Sequence, residues 1–350
     1  MDRPIHGGNL AWAASLAGCP ASAIVDFSAS INPLGPPNSA ITAIEQGMKR
    51  LTAYPDPCYQ TLRTSLAEWH QLAPEWILPG NGSAELLTWA ARDLSCLAAT
   101  YLLTPAFSDY RRALTAFAAK MQCESMLDET RLASILENGN STAGLLLNNP
   151  HNPTGKLLTR ESILPALKKF ALVVVDEAFM DFLTPPEEQS VISLVQNYPN
   201  LVILRSLTKF YSLPGLRLGY AIAHPNRLKR WQQWRDPWSV NVLAAAAAAA
   251  VIKDREFQQM TWNWLPEARA TLFKHLAAVP YLEPLPGAAN FLLVHTQTSS
   301  TQLQEQLLKQ ERLLIRDCLS FPELGEAYFR VAVRTPEDNQ RLCQALAAID

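Results

Sequence analysis

The chain has no C-x-x-C pair, no long apolar run and almost no excess of either charge. Its six cysteines, Cys19, Cys58, Cys96, Cys123, Cys318 and Cys343, are scattered through 350 residues. That spacing argues against a disulfide framework, which belongs to shorter and denser chains, and against a metal centre, since zinc needs closely paired ligands. Reduced thiols in a cytoplasmic protein are the expectation. With 30 Lys+Arg against 32 Asp+Glu the formal charge is −2, which leaves no electrostatic footprint for nucleic acid or an anionic membrane surface. The longest weakly polar run, Val240 to Ile252, is too short to span a bilayer. MDRPIHGGNL lacks the apolar core of a signal peptide. What the chain does have is an ordinary globular mixture, 48% apolar and 18% charged, which excludes a disordered chain. Its length predicts two domains or one large α/β unit.

No internal repeat is evident. Asn32 to Pro37 (NPLGPP) is punctuated by Gly and Pro and reads as an extended connector. Downstream, short apolar runs at 97–103, 144–147, 172–175 and 202–204 read as buried strands, and 83–95, 110–120 and 160–170 between them as helices. Strand–helix alternation predicts an α/β fold, a mostly parallel sheet sandwiched by helices. The alanines of 244–250 predict a closely packed connecting helix. A strand at 291–295, a helix at 302–310 and a strand at 328–333 then suggest a smaller α+β domain. The expected division is an N-terminal arm at 1–36 joining the small domain, a large domain at 37–238 and a small C-terminal domain at 239–350. A cleft between them is a natural ligand site.

Ser206-Leu207-Thr208-Lys209 directly follows the strand 202–204. A lysine there, beside two hydroxyls and eight positions before Arg217, is an odd choice for packing. Hydroxyls and an arginine suit an anion, and an amine that can form a Schiff base suits an aldehyde. Pyridoxal 5′-phosphate is both. Upstream, Val173-Val174-Val175-Asp176 puts an acid at the carboxyl end of a strand, where ligands of open α/β sheets bind. There it could keep a pyridine nitrogen protonated. Asn152, in Asn148-Asn149-Pro150-His151-Asn152-Pro153-Thr154-Gly155, could donate to the cofactor's phenolate. Gly80-Asn81-Gly82-Ser83 precedes a helix whose amide groups could meet a phosphate. Phe107, after Thr104-Pro105, could stack on the ring. Each signal also has a plain structural reading: a surface lysine, a helix cap, a turn, a core phenylalanine.

Together and in this order, NPHNPTG, VVDEAF and SLTKFYSLPGLRLGY resemble the fold-type I family of pyridoxal-phosphate enzymes, in the branch holding histidinol-phosphate aminotransferases. The resemblance runs through nearly the whole chain. It implies Lys209 as the Schiff-base lysine, Asp176 as the pyridinium partner, Asn152 as the O3′ donor and Phe107 as the stacking residue. Gly82, Ser83, Ser206, Thr208 and Arg217 would hold the cofactor phosphate. Tyr54, in Tyr54-Pro55-Asp56-Pro57, matches a tyrosine that reaches the phosphate of the partner subunit, which implies a homodimer with shared sites. Many aminotransferases of this branch carry Asp-Glu-Ala-Tyr where this chain has Phe179, one donor fewer at O3′.

The N-terminal segment His6-Gly7-Gly8-Asn9, followed by Asp26-Phe27-Ser28-Ala29-Ser30-Ile31-Asn32-Pro33, is similar to the threonine-phosphate decarboxylases of cobalamin biosynthesis. That likeness implies a phosphorylated amino acid as substrate, with Asn32, His6 and the arginines Arg316, Arg330 and Arg334 around it. Arg330 is assigned to the α-carboxylate, and Arg316, Arg334 and His6 to the phosphate. Because Arg330 and Arg334 are four apart in a strand, both are expected to face the same way. The expected reaction is decarboxylation of L-threonine O-3-phosphate to (R)-1-amino-2-propanol phosphate and CO2; a histidinol-phosphate-type transamination, which uses nearly the same residues, is the alternative, disfavoured by HGGN and Phe179. A regulator with a fused DNA-binding module is disfavoured by the early start of the pattern.

Overall fold

The computed structural model describes residues 3–349. Its strands are β1 (Val25–Asp26), β2 (Ile77–Asn81), β3 (Thr100–Thr104), β4 (Met121–Ser125), β5 (Gly144–Asn148), β6 (Leu172–Asp176), β7 (Leu201–Ser206), β8 (Leu218–Ala223), β9 (Leu282–Pro284), β10 (Phe291–Thr296), β11 (Leu313–Leu314), β12 (Arg316–Cys318) and β13 (Gly325–Ala332). Seven of them form one sheet in the order β2-β8-β7-β6-β5-β3-β4. β3 to β7 run parallel, and β8 lies antiparallel between β2 and β7. The second sheet is antiparallel, in the order β12-β13-β10-β9.

The apolar runs become central strands because both faces of the large sheet are covered. Alternate residues serve separate cores: Val173, Val175, Leu145, Leu147 and Ile203 on one side, Leu172, Val174, Leu146, Val202 and Leu204 on the other. The helix Gly82–Ser95 belongs to the second side, with Leu86, Leu87, Ala90, Ala91 and Leu94 buried. The alanine-rich helix Val242–Val251 packs against Asn38–Gly47. Its Ala244, Ala247, Ala248 and Val251 join the same core as Phe291 and Leu293's neighbours Leu292 and Val294, so apolar packing continues across residue 238.

Several expected elements shift. The strand expected at 97–103 begins at Thr100, because Leu97 N still bonds Leu94 O at the end of the preceding helix. The helix expected at 110–120 spans Ser108–Thr115 and stops before Ala118, whose φ is 52°. β4 was not anticipated. As an edge strand its residues Met121–Ser125 are partly or fully exposed, so no apolar run marks them.

The N-terminal arm returns to the C-terminal part of the chain. The helix Leu10–Ala17 packs on Ser300–Glu311, and β1 pairs parallel with β11. The connector after it runs past the carboxyl ends of the large sheet, where Asn32 N bonds Lys209 O at 3.0 Å.

Candidate active site

The carboxyl ends of β5, β6 and β7 carry Asn148, Asp176 and Ser206, and the start of the reversed β8 lies beside them. Over this edge lies a cavity of about 300 Å³. Its lining includes Ser83, Phe107, Asn152, Asp176, Thr208, Lys209 and Arg217 from the large-sheet side, and His6, Arg316 and Arg330 from the other. Most of the residues singled out from sequence therefore meet in one place.

On the large-sheet side the hydroxyls and the amine form one group. Lys209 Nζ donates to Ser206 Oγ at 3.1 Å, and Ser206 Oγ lies 2.8 Å from Thr208 Oγ1. Arg217 sits in left-handed backbone, φ 53°, and its guanidinium comes so close to Gly82 that a Cβ there would lie 2.5 Å from Nη2. The helix Gly82–Ser95 begins at Asn81, which makes no side-chain cap, so first-turn amides lack that partner. Hydroxyls, an arginine and a helix N-terminus without a side-chain cap are the donor set a phosphate needs.

Asp176 accepts from Tyr110 Oη at 2.8 Å through Oδ2 and from Ala178 N at 2.9 Å through Oδ1. Burial raises its pKa, opposed by Lys209 and these bonds. Burial pushes the Lys209 amine down to about 8; Asp176 opposes that shift, and Arg217 and Arg330 add to it. An amine so placed is partly neutral near neutral pH and can act as a nucleophile. Asn152 Oδ1 accepts from Arg330 Nη1 at 2.5 Å. That bond fixes the amide so that its NH₂ remains to donate. Phe107 carries no polar group and stands edge-on to Tyr110, ring centroids 5.7 Å apart.

On the other side, Arg330 Nη2 also bonds Ser28 O at 3.2 Å, and its buried Nε has no partner among the described residues. Burial lowers the Arg330 pKa to about 10. Arg316 Nη2 holds Ile5 O and, at 2.6 Å, Ser320 Oγ. These bonds lay the N-terminal segment against the cavity and bring the His6 ring to 5.5 Å from Phe107. Burial and Arg316 lower the His6 pKa. Among the described residues the titratable lining thus sets four cationic side chains (Lys209, Arg217, Arg316 and Arg330) against one carboxylate, that of Asp176.

Three expected residues stand elsewhere. Asn32 is buried but engaged: Nδ2 bonds Phe210 O and Thr261 Oγ1, each at 2.9 Å, and Oδ1 accepts from Leu34 N. It anchors the connector and does not line the cavity. Arg334 does not share the face of Arg330. β13 ends at Ala332, so alternation stops, and Arg334 pairs with Asp338 at 2.9 Å and bonds Asp26 O. Tyr54 is exposed and stacks on Trp238 at 4.6 Å, away from this chain's cavity. Conversely, Tyr110, Ser28, Ser30 and Phe321 line it without having been singled out. The spacing of Tyr110, one helical turn after Phe107, was the signal available for it.

The cavity fits pyridoxal phosphate: a nucleophilic lysine, a buried acid, an oriented amide and a phosphate cradle that a Cβ at Gly82 would fill. The fold and the site define a fold-type I pyridoxal-phosphate enzyme. Residues 22–346 match the family described as aminotransferase class I and II, and the chain belongs to that family. Over 97% of its length it is 39% identical to the threonine-phosphate decarboxylase of Salmonella typhimurium, 95% of which is covered. A histidinol-phosphate aminotransferase of Symbiobacterium thermophilum is 34% identical over 93% of this chain and 90% of that protein. The crystal structure of L-threonine-O-3-phosphate decarboxylase from Porphyromonas gingivalis superposes with a TM-score of 0.84 at 26% identity, covering 91% of this chain and 97% of that one.

Proposed function

We propose that this chain decarboxylates L-threonine O-3-phosphate to (R)-1-amino-2-propanol phosphate and CO2, with pyridoxal phosphate as cofactor, within cobalamin biosynthesis. The 39% identity to a threonine-phosphate decarboxylase across 97% of the chain carries this reading. The excess of cationic side chains in the cavity supports it, because cofactor phosphate, substrate phosphate and substrate carboxylate are three anionic groups that need partners.

Bound pyridoxal phosphate supplies an aldehyde that condenses with an amine and a ring that accepts the electron pair released at the substrate carbon. Lys209 would hold the cofactor through its amine; the substrate's own amine would displace it, and the freed Nζ, once CO2 has left, would return a proton to the substrate carbon. Asp176 keeps the proton on the ring nitrogen. Ser83, Ser206, Thr208 and Arg217 bind the cofactor phosphate. Arg330, with an unpartnered Nε, takes the substrate carboxylate. Arg316 and His6 take the substrate phosphate, and in doing so orient the molecule so that the carboxylate bond is the one aligned for cleavage. Asn152 donates through the NH₂ that its bond to Arg330 leaves free, so the residue that holds the carboxylate also sets the donor at the ring.

The test is CO2 release from L-threonine O-3-phosphate with pyridoxal phosphate and no keto acid. Sustained release is expected, falling by about 10³-fold or more in Lys209→Ala. No CO2, with histidinol phosphate converting the cofactor to its amine form, would overturn the decarboxylase and favour the aminotransferase.

The protein also works as a homodimer in this reading. Ile41, Met48, Leu51, Tyr54 and Trp238 are large apolar side chains left exposed, a surface that a second copy would cover. Sedimentation as a dimer at micromolar concentration is expected, with Tyr54→Phe remaining a dimer but binding pyridoxal phosphate more weakly. A monomer at that concentration sinks the shared-site reading. The cytoplasm suits six cysteines that form no disulfide.

A further inference from the structure

Tyr110 comes from the helix Ser108–Thr115 and Asp176 from the end of β6, and their side chains meet inside the protein. Tyr110 Oη donates to Asp176 Oδ2 at 2.8 Å while Ala178 N donates to Oδ1 at 2.9 Å. Each carboxylate oxygen therefore has one protein donor, which sets the plane of the carboxylate and leaves further lone pairs for a ring N–H. The Tyr110 ring is held by Phe107, edge-on at 87°. Among the described residues its hydroxyl is the only side-chain donor on Asp176.

We infer that Tyr110 is a positioning residue for Asp176: its hydroxyl fixes the carboxylate and favours its ionised form, and so keeps the proton on the cofactor's ring nitrogen. The direction of charge agrees. Burial and the neighbouring Asp176 raise the Tyr110 pKa well above its ordinary value, so the hydroxyl stays a donor across the working range. Burial alone favours the neutral acid at Asp176, and the Tyr110 bond opposes it. Without the hydroxyl, a buried oxygen loses its partner and the carboxylate becomes more basic. The proton then moves from ring nitrogen toward Asp176, the ring withdraws fewer electrons, and the nitrogen joining Lys209 to the cofactor becomes more basic.

The other charged groups facing the pair are Lys209 and Asp109, the latter bonded to Arg112; Arg217 and Arg330 act on Lys209. Tyr110→Phe leaves all of them in place. The experiment loads the natural chain and Tyr110→Phe with pyridoxal phosphate and titrates the cofactor's visible absorption band with pH. The midpoint is expected to rise by about one pH unit in Tyr110→Phe, a tenfold change in proton affinity, and the cofactor to dissociate faster. The same substitution made in an Asp176→Asn background should leave the midpoint where Asp176→Asn alone puts it, because the effect runs through the carboxylate. An unmoved midpoint in Tyr110→Phe overturns the inference, including when the apoprotein melts at a lower temperature, since that marks a packing role only. Equal shifts in both backgrounds also overturn it. The inference rests on the cofactor reading of the cavity; a natural chain that takes up no pyridoxal phosphate overturns both.

Discussion

Gly7 shows how little space one residue can have. A Cβ there would lie 2.2 Å from Ser28 O and 2.7 Å from its carbon, both backbone atoms that cannot swing aside. Gly8 follows with φ 82°, a left-handed value L side chains rarely adopt, and its N–H bonds Ser28 Oγ at 2.8 Å. Ser28 is in turn held by Asp26, with its hydroxyl 2.6 Å from Oδ1. The two glycines thus let the segment lie flat on Ser28 and place His6 beside Phe107. Gly7→Ala must lift the segment. Its KM for L-threonine O-3-phosphate should rise about tenfold, roughly 1.4 kcal/mol, with thermal stability unchanged; an unaltered KM would mean that His6 does not meet the substrate.

At the scale of elements, the reversed strand β8 decides where the proposed phosphate cradle lies. It enters the sheet between β2 and β7, pairing Gly219 with Gly80 on one side and with Ser206 on the other. A Cβ on Gly219 would stand 2.5 Å from Ser83 N and 2.7 Å from Arg205 O. The missing side chain lets the helix Gly82–Ser95 press its first turn onto the sheet edge beside Ser206. Gly219→Ala should push that turn away, costing about 1–3 kcal/mol of stability in denaturant unfolding and at least tenfold in pyridoxal-phosphate affinity by fluorescence titration. Normal affinity in the variant would show that the first turn does not hold the phosphate.

Across the whole molecule, buried titratable groups set the pH range in which the fold holds. Burial pushes both His70 and His151 down to about 3, and each ring has a hydrogen-bond partner, Tyr220 Oη at 2.8 Å and Thr154 Oγ1 at 2.7 Å. In the unfolded chain both would take a proton near 6.5. At these two sites the unfolded state therefore binds more protons below that value, and their contribution to stability falls as pH drops from about 6.5 toward about 3, while Glu177, which burial raises to about 7, acts in the opposite direction. Replacing His70 by Gln removes one such group. The slope of unfolding free energy over that window should flatten by up to about 1.4 kcal/mol per pH unit, measured by urea unfolding at a series of pH values. An unchanged slope would place the His70 titration near its ordinary value.

Much of this architecture was legible along the chain because its signals are local. Runs such as Leu172–Val175 are apolar on both faces, so they could only be central strands, and Asp176, Asn152 and Lys209 stand at or just beyond the ends of such runs. Edge strand β4 carries no such signature, and β8, although within a motif, gave no sign of its direction. The pairing of distant side chains was set only by folding. Tyr110 and Asp176 are 66 positions apart and Arg330 and Asn152 are 178 apart, and nothing local in either member names the other. Arg334 and Asn32 show the same limit from the opposite direction. One chain turn after Ala332 sent a guanidinium to Asp338, and Phe210 and Thr261 took the Asn32 amide that the resemblance had set beside the substrate. Residue type and spacing determined the central strands, the glycine-rich loop before the helix Gly82–Ser95 and the place of Lys209 beyond a strand end, because each follows from periodicity and chemistry within a few positions. Which arginine meets the cavity, and what orients Asp176 and Asn152 within it, depended on contacts between segments that only the tertiary structure brings together.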